Sequence, residues 1–441
     1  MSQTNPPAAA APGPQVAAAL TAEAPAAAAL PDTELLELLQ RQTFRFFWDG
    51  ALAQSALAAD RHPPRSIATN ELAASGGSGF GIMALIVAVE RGWVMREAAL
   101  ERLARMLHLL GLATCYHGVF PHFLDARTGQ TIPFSPADDG GDLVETSYLC
   151  MGLLCARQYF DRDTAPERHA RERINMLWER VEWNWYTQGG QQVLYWHWSP
   201  RNGWALNHPI RGWNECLITY VLAAGAPRNP INPAVYHRGF ASGPGYLNGH
   251  RYYGIELPLG MAYGGPLFFA HYSFCGLDPH GLTDRYADYW QQNLRHVRIN
   301  HAHCLANPHR HRGYGEGCWG LTASDDPSGY VAHAPDVDNG TISPTAALSS
   351  FPYAPREAMQ ALRHFLTMQG GRLWGRYGFI DAFCEGQDWY ADTFLAIDQG
   401  PIILMIENYR TGLLWRLFMS APEVQAGLQR LDFDSPYLER G

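Results

Sequence analysis

Two neighbouring segments constrain this chain more than any other feature of it. Phe80 to Arg91 is apolar nearly all round, whereas Arg96 to Leu112 carries one apolar stripe and a charged opposite face. A helix that is apolar on every side must be enclosed, and a one-sided helix must lie at a boundary. The pair therefore reads as an inner helix followed by an outer one. The same reading extends along the chain. Asp32 or Thr33 caps a first helix in which Leu35, Leu36, Leu39, Phe44 and Phe47 recur at helical spacing. Further helices are predicted over Leu143 to Tyr159, Pro166 to Val181, Trp213 to Ala224, Pro266 to Phe274, Asp284 to Leu305, Thr345 to Phe351, Pro355 to Met368 and Asp398 to Tyr409. No linker-like stretch separates them. The expectation is one all-α domain over residues 32–441, a ring of inner and outer helices.

Two β-hairpins are predicted to interrupt the helices, Val119 to Ile132 turning at Thr128 and Gly129, and Val193 to Leu206 turning at Asn202 and Gly203. They are expected to form lips around a cleft. Before residue 32 the chain is almost all Ala and Pro, which reads as a flexible tail without the basic start and apolar core of a signal peptide. No apolar run reaches the ~20 residues of a membrane helix, so no membrane partner is expected.

Composition narrows the chemistry. The sequence contains no lysine, so all 33 basic residues are arginine. A Walker-type phosphate loop and Schiff-base catalysis both need that amine and are excluded. A formal charge of -9 argues against nucleic acid. The eight cysteines form no CxxC pair, so neither a zinc ribbon nor a dithiol redox site is written here, and most are expected to be buried thiols. The 14 Trp and 21 Tyr offer flat faces with polar edges, suited to sugar rings as well as to a core.

The loops between helices concentrate glycine, aromatics and acids. RGWNE (211–215), RGYGEGCWGLTASDD (312–326), RYGFIDAF (376–383) and AIDQGP (396–401) are the clearest cases. Glycine permits close backbone approach to a ligand, and acids beside aromatics provide proton transfer beside stacking surfaces. Together with RQTFRFFWDGA, SGFGIMAL, GDLVETSYL, GGPLFFAHYSF, SPTAALSSFPY and AIDQGPIILMIENYRTGLLW, these segments resemble the bacterial glucoamylase-like family that includes endo-β-1,2-glucanases. The resemblance runs from about Gln42 to Met419. It implies an (α/α)6 barrel whose central cleft hydrolyses linear β-1,2-glucan to short sophoro-oligosaccharides, by inversion and without a cofactor. It also implies a periplasmic location, although the tail shows no export signal.

Glycosidic cleavage generally needs one acid to protonate the leaving oxygen and a second carboxylate to activate water or attack carbon. Glu215 is the first candidate. It follows Trp213 and Asn214 at the start of a nearly uncharged helix, where its competing role is helix-start electrostatics, and the resemblance aligns RGWNE with the family's proposed general acid. Asp138, Asp139, Asp142 and Glu145 form a second cluster, with Asp142 and Glu145 three residues apart. Crowded acids raise one another's pKa, while capping the helix is the alternative for Asp142 and Asp139. By resemblance Asp138, Asp142 and Glu145 line the cleft, and Asp142 is expected to partner Glu215. Asp398 reads equally as an N-cap or a catalytic acid. Glu316, Asp325 and Asp381 are candidates for binding sugar hydroxyls. Arg211, Trp213, Tyr314, Trp319 and Trp374 are candidates for stacking and hydrogen bonding, against a packing role.

No metal is expected. His301, His303, Cys304, His309 and His311 lack an HExxH context or finger spacing, and no GxSxG marks a serine nucleophile. Besides a β-1,2-glucan hydrolase, two function classes remain open. One is a glycan-modifying relative, a transglycosylase, exo-acting enzyme or lyase. The other is a noncatalytic glycan-binding protein.

Overall fold

The computed structural model describes residues 24–64 and 71–438, so most of the Ala/Pro tail lies outside the described residues. The chain is mainly helical, with short antiparallel strand pairs between the helices. In chain order the helices are α1 (Asp32–Trp48), α2 (Ser75–Glu90), α3 (Arg96–Leu112), α4 (Leu143–Tyr159), α5 (Ala165–Glu179) and α6 (Leu217–Gly225). They continue with α7 (Tyr289–Ala306), α8 (Pro344–Leu348), α9 (Pro355–Thr367), α10 (Ala396–Thr411), α11 (Leu413–Met419) and α12 (Pro422–Arg430).

Burial alternates along this order. Every residue from Ser75 to Ala88 in α2 is buried, as are Leu143 to Ala156 in α4 and the whole of α6 and α8. By contrast α1, α3, α5 and α9 bury one face only. The inner helices touch in sequence: α2 packs on α4 and α10, α4 on α6, and α10 on α8. Glycine sets the α2–α4 distance. A Cβ on Gly79 would stand 2.1 Å from the Tyr148 carbonyl oxygen, and one on Gly152 2.2 Å from that of Gly79. Even alanine at either place would force the two helices apart.

Between α6 and α7 the chain runs through non-α structure. The segment predicted as a helix over Pro266 to Phe274 forms two 3₁₀ turns, Leu267–Ala270 and Ser273–Cys275. Its side chains, rather than a helix face, join the neighbours. The Ile218 N–H donates to Ser273 Oγ at 3.1 Å, and His271 Nε2 lies 3.0 Å from Ser350 Oγ. Helix α6 also starts later than predicted, at Leu217 instead of Trp213. Gly212 at φ 80° and the Cys216 N–H bonded to Asn214 Oδ1 hold the preceding residues in a turn.

One predicted hairpin forms and the other does not. Phe123–Asp125 pairs with Thr131–Ile132, and Leu72–Ala74 adds a third strand. His197–Trp198 pairs instead with Gly141–Asp142, placing His197 opposite Asp142. Asn202 and Gly203 do make a tight turn, closed by reciprocal backbone bonds between Ser199 and Gly203. The strand before it finds its longer partner elsewhere in the chain. All eight cysteines are free thiols. Among the described residues, no helix is long and apolar enough to cross a membrane.

Candidate active site

The inner helices start around one cavity of about 610 Å³. Its wall takes Ala74 and Gly77 from the start of α2, Val144, Glu145 and Tyr148 from α4, Glu215 just before α6, and Leu395 and Ile397 at the start of α10. Phe123, Ile132 and Phe134 close one side, and Phe268, Tyr272 and Tyr330 another. Helix N-termini carry partial positive charge, which helps hold acids in a largely apolar cavity.

Three acids line it: Glu215, Glu145 and Asp60. Burial pushes the Glu215 carboxyl up to about 7, with a smaller contribution from the charge of Asp142. Its backbone oxygen accepts a bond from Ser273 Oγ, fixing the turn before α6. Burial likewise raises Glu145 to about 7, against the opposing influence of His122. Glu145 Oε2 accepts the Gly76 N–H at 2.7 Å. Gly76 has to be glycine here, since a Cβ would meet that same oxygen at 2.6 Å. Asp60 is engaged by Arg61 Nε at 3.1 Å.

Two tyrosines lie among these acids. Tyr148 and Tyr272 rings meet edge-on at 5.7 Å, both against Phe80. The Tyr148 hydroxyl is buried without a hydrogen-bond partner, and its pKa is raised first by burial and then by the charge of Glu215. A hydroxyl left unpaired beside a cavity loses its water bonds and gains nothing in return, unless a ligand completes it.

Asp142, expected to partner Glu215, occupies a different place. It is fully buried and caps α4, its Oδ1 accepting the Val144 and Glu145 N–H groups at 3.0 and 2.9 Å. Its Oδ2 lies 3.0 Å from His122 Nδ1. Burial alone would raise its pKa, but the bond from His122 and the charge of His197 outweigh that and hold it below the usual carboxylate range. Fully buried, Asp142 is not part of the cavity wall. Asp138 is buried against His197, with Oδ2 at 3.3 Å from Nδ1. Asp139 accepts from Ser199 Oγ and Arg201 Nε.

Asp325, Asp381 and Asp398 form a separate buried group. Arg61 Nη1 contacts both oxygens of Asp325, at 3.0 and 2.9 Å, and Thr393 Oγ1 donates to the same carboxylate. Asp381 Oδ2 accepts the Asp325 N–H at 2.6 Å. Burial and the neighbouring Asp325 raise Asp381 to about 7. Asp398 is raised well above the carboxylate range by burial, by the charge of Asp381 and by a hydrogen bond shared with that carboxylate. Like charges this close cannot all ionise, so this group holds protons at neutral pH. Asp398 is not the N-cap of α10, which is Leu395.

Several aromatic and polar candidates lie away from the cavity. Trp213 and Trp319 are fully enclosed, and Trp374 packs edge-on against Phe379 at 4.9 Å. The Tyr314 hydroxyl donates to Asp338 at 2.7 Å, while Arg211 and Glu316 are exposed. Conversely, His122, Trp196, Tyr148 and Tyr272 line the cavity although none was singled out from sequence. The SYL and HYSF segments that carry the two tyrosines were visible, but nothing local indicated which way they face.

Comparison with known proteins agrees with this architecture. Residues 207–422 match the Glycoamylase family model, described as "Putative glucoamylase". An exo β-1,2-glucooligosaccharide sophorohydrolase (non-reducing end) from Parabacteroides distasonis is 46% identical over 91% of this chain, which spans 58% of that protein's length. A Bacteroides uniformis crystal structure of the same glucoamylase description superposes with a TM-score of 0.91 at 55% identity, covering 93% of this chain and 99% of that one. An endo-β-1,2-glucanase from Chitinophaga pinensis, bound to sophorotriose and glucose, superposes with a TM-score of 0.91 at 50% identity, covering 93% and 100%.

Proposed function

Since the chain belongs to the bacterial glucoamylase-like family that contains β-1,2-glucanases and sophorohydrolases, we propose that it is a glycoside hydrolase cleaving β-1,2-glucan inside its helical ring, read here as an (α/α)6 barrel. The observation that carries this reading is Glu215, a carboxyl kept protonated near neutral pH by its apolar surroundings and open to a cavity large enough for sugar rings. Such a group can protonate a departing glycosidic oxygen. The Gly76 N–H makes Glu145 a fixed acceptor, suited to take a proton from water. Glu145 therefore replaces Asp142 as the proposed partner of Glu215. Tyr148 offers its unpaired hydroxyl to a sugar hydroxyl between them.

We propose endo cleavage with inversion. Full-length coverage of the Chitinophaga endo-glucanase supports the endo mode, whereas the exo-acting relative is matched over little more than half its length. The test is incubation of wild type and Glu215→Gln with linear β-1,2-glucan, followed by product chromatography and by proton NMR of the newly formed anomer. A ladder of short oligosaccharides with initial α-anomer, absent in the variant, is the expected result. Sophorose as the sole early product would replace endo with exo action. Chains longer than the substrate would mean transglycosylation, and bound but uncleaved glucan would sink the hydrolase reading.

A further inference from the structure

Three tyrosines gather at the surface on the segment that leads into the cavity wall. The strands Arg251–Tyr252 and Ile255–Glu256 pair as a hairpin whose two-residue turn is Tyr253 and Gly254. The Tyr263 ring lies 4.5 Å from that of Tyr252 and 6.2 Å from that of Tyr253. Tyr253 is exposed and the other two are half-buried. The backbone carries these rings against its own preference. Tyr253 stands at φ 53° and Tyr263 at φ 57°, a region costly for a bulky side chain. With Gly254 at φ 80° the hairpin turn has two positive φ values in succession, an arrangement that favours Asn, Asp or Gly at the position Tyr253 occupies.

A buried ion pair orients the exposed member. The Tyr253 hydroxyl lies 2.8 Å from His303 Nδ1, and His303 Nε2 lies 2.8 Å from Asp338 Oδ2. The side chains of His303 and Asp338 are at most 2% exposed. Asp338 Oδ1 in turn accepts the Tyr314 hydroxyl at 2.7 Å and the Gly340 N–H at 3.0 Å. An ionised carboxylate can only accept. A neutral His303 ring therefore carries its proton on Nε2 and takes the Tyr253 O–H at Nδ1, which leaves the tyrosine oxygen able to accept from a hydroxyl outside the protein. The same two segments build the cavity wall. Tyr263 leads through Gly264 and Gly265 to Phe268, whose N–H donates to Thr322 Oγ1 at 3.1 Å, while the His333 N–H donates to the Thr322 carbonyl oxygen at 3.1 Å. Phe268, Ala323, Tyr330 and Ala332 line the cavity, and the turn Ala334 to Val337 carries the chain on to Asp338.

We propose that Tyr252, Tyr253 and Tyr263 form an outer platform for glucosyl units of a β-1,2-glucan chain that run past the cavity. The inference deepens the substrate reading given above and rests on it. A sugar ring presents C–H faces and a rim of hydroxyls, which aromatic faces beside one oriented phenol oxygen complement. Continuity with the cavity wall selects glucan as the occupant: a chain bound inside the cavity and longer than it has to leave across a neighbouring surface. Holding the chain beyond the reacting bond makes long glucans bind more tightly than short ones, and strain at two tyrosines is a cost that such use offsets.

The experiment uses the full chain carrying Glu215→Gln, so that the ligand survives, with and without Tyr263→Gly or Tyr253→Phe. Titration calorimetry measures the affinity for sophorotriose and for a long linear β-1,2-glucan. Glycine accepts φ 57° without strain, so Tyr263→Gly removes a ring and keeps the backbone. Its affinity for the long glucan should fall about three- to tenfold, the range for one lost aromatic contact, with that for sophorotriose unchanged. Tyr253→Phe keeps its ring and loses the oriented oxygen, and should show a smaller loss confined to the long glucan. Equal binding of the long glucan by Tyr263→Gly and its parent would overturn the platform. So would an equal loss for both ligands, which would put the effect in the cavity or the fold. A parent dimer dispersed by Tyr263→Gly with glucan binding unchanged would make this face an interface between copies instead. A parent that binds neither ligand would refute the β-1,2-glucan reading itself, whereas a parent that binds both, with variants that match it, refutes the platform alone.

Discussion

Replacing Glu215 by glutamine should abolish activity and, at alkaline pH, make the protein more stable. The carboxyl is 8% exposed and its pKa is raised from 4.5 to about 7 by burial. That difference of about 2.5 units corresponds to about 3 kcal/mol between the protonated and ionised forms. The sign follows from proton binding. Between pH 4.5 and 7 the folded chain holds a proton that the unfolded chain has released. The stability contributed is therefore fully present below pH 4.5 and is lost as pH rises through 7. Glutamine has no proton to lose and keeps nearly the same shape. Urea unfolding of wild type and Glu215→Gln at pH 4.5 and pH 8.5 measures the effect. The two proteins should differ little at the lower pH, and the variant should gain about 2–3 kcal/mol on wild type at the higher one. Because Glu145 is present in both, its own titration largely cancels in the comparison. A stability difference independent of pH would show that Glu215 is not a desolvated carboxyl, and the proposed acid role would fall with it.

Three further outcomes follow from the same geometry. Tyr148→Phe removes a buried hydroxyl without a partner, so stability should hold or rise by up to about 1 kcal/mol, while KM for β-1,2-glucan rises if that hydroxyl binds sugar; an unchanged KM would count against the contact. Gly76→Ala places a methyl 2.6 Å from Glu145 Oε2, and should cut kcat at least about tenfold, an effect of about 1.4 kcal/mol on the barrier, with a native circular-dichroism spectrum. Glu407→Gln weakens the part-buried pair with Arg91, bonded at 2.8 and 2.9 Å. Thermal and urea unfolding should show a loss of about 1–3 kcal/mol, with kcat/KM retained below the new melting temperature.

The mainly helical character was legible in the sequence because all-round burial leaves an unmistakable composition in α2 and α4, and one-sided burial an equally clear stripe in α3. Where the backbone departs from a plain helix, the deciding contacts are distant. Pro266 to Phe274 has the apolar content of an inner helix, yet its 3₁₀ turns are held by Ile218 and Ser350. His197 reads locally as part of a hairpin, and its partner strand lies more than fifty residues earlier at Gly141–Asp142. The site was legible in part for a similar reason. An acid in an uncharged stretch singles out Glu215, because its surroundings are apolar in sequence as well as in space. Trp213, Trp319 and Trp374 carry the composition of a sugar platform but face inward, and direction is not written in composition. The pairing of Arg61 with Asp325 spans most of the chain and has no local signature.

Asp142 ends a strand, begins a helix and orients an imidazole with one carboxylate. An alanine scan scored by turnover would rank it beside Glu215, and the ranking would mislead. Losing it releases the first turn of the segment that presents Glu145, so a dead Asp142 variant reports a displaced neighbour rather than a missing reagent. Chemical rescue separates the two cases. Small anions such as formate or azide can substitute for a carboxylate that meets substrate across an open cavity, but have no route to one enclosed at a helix start.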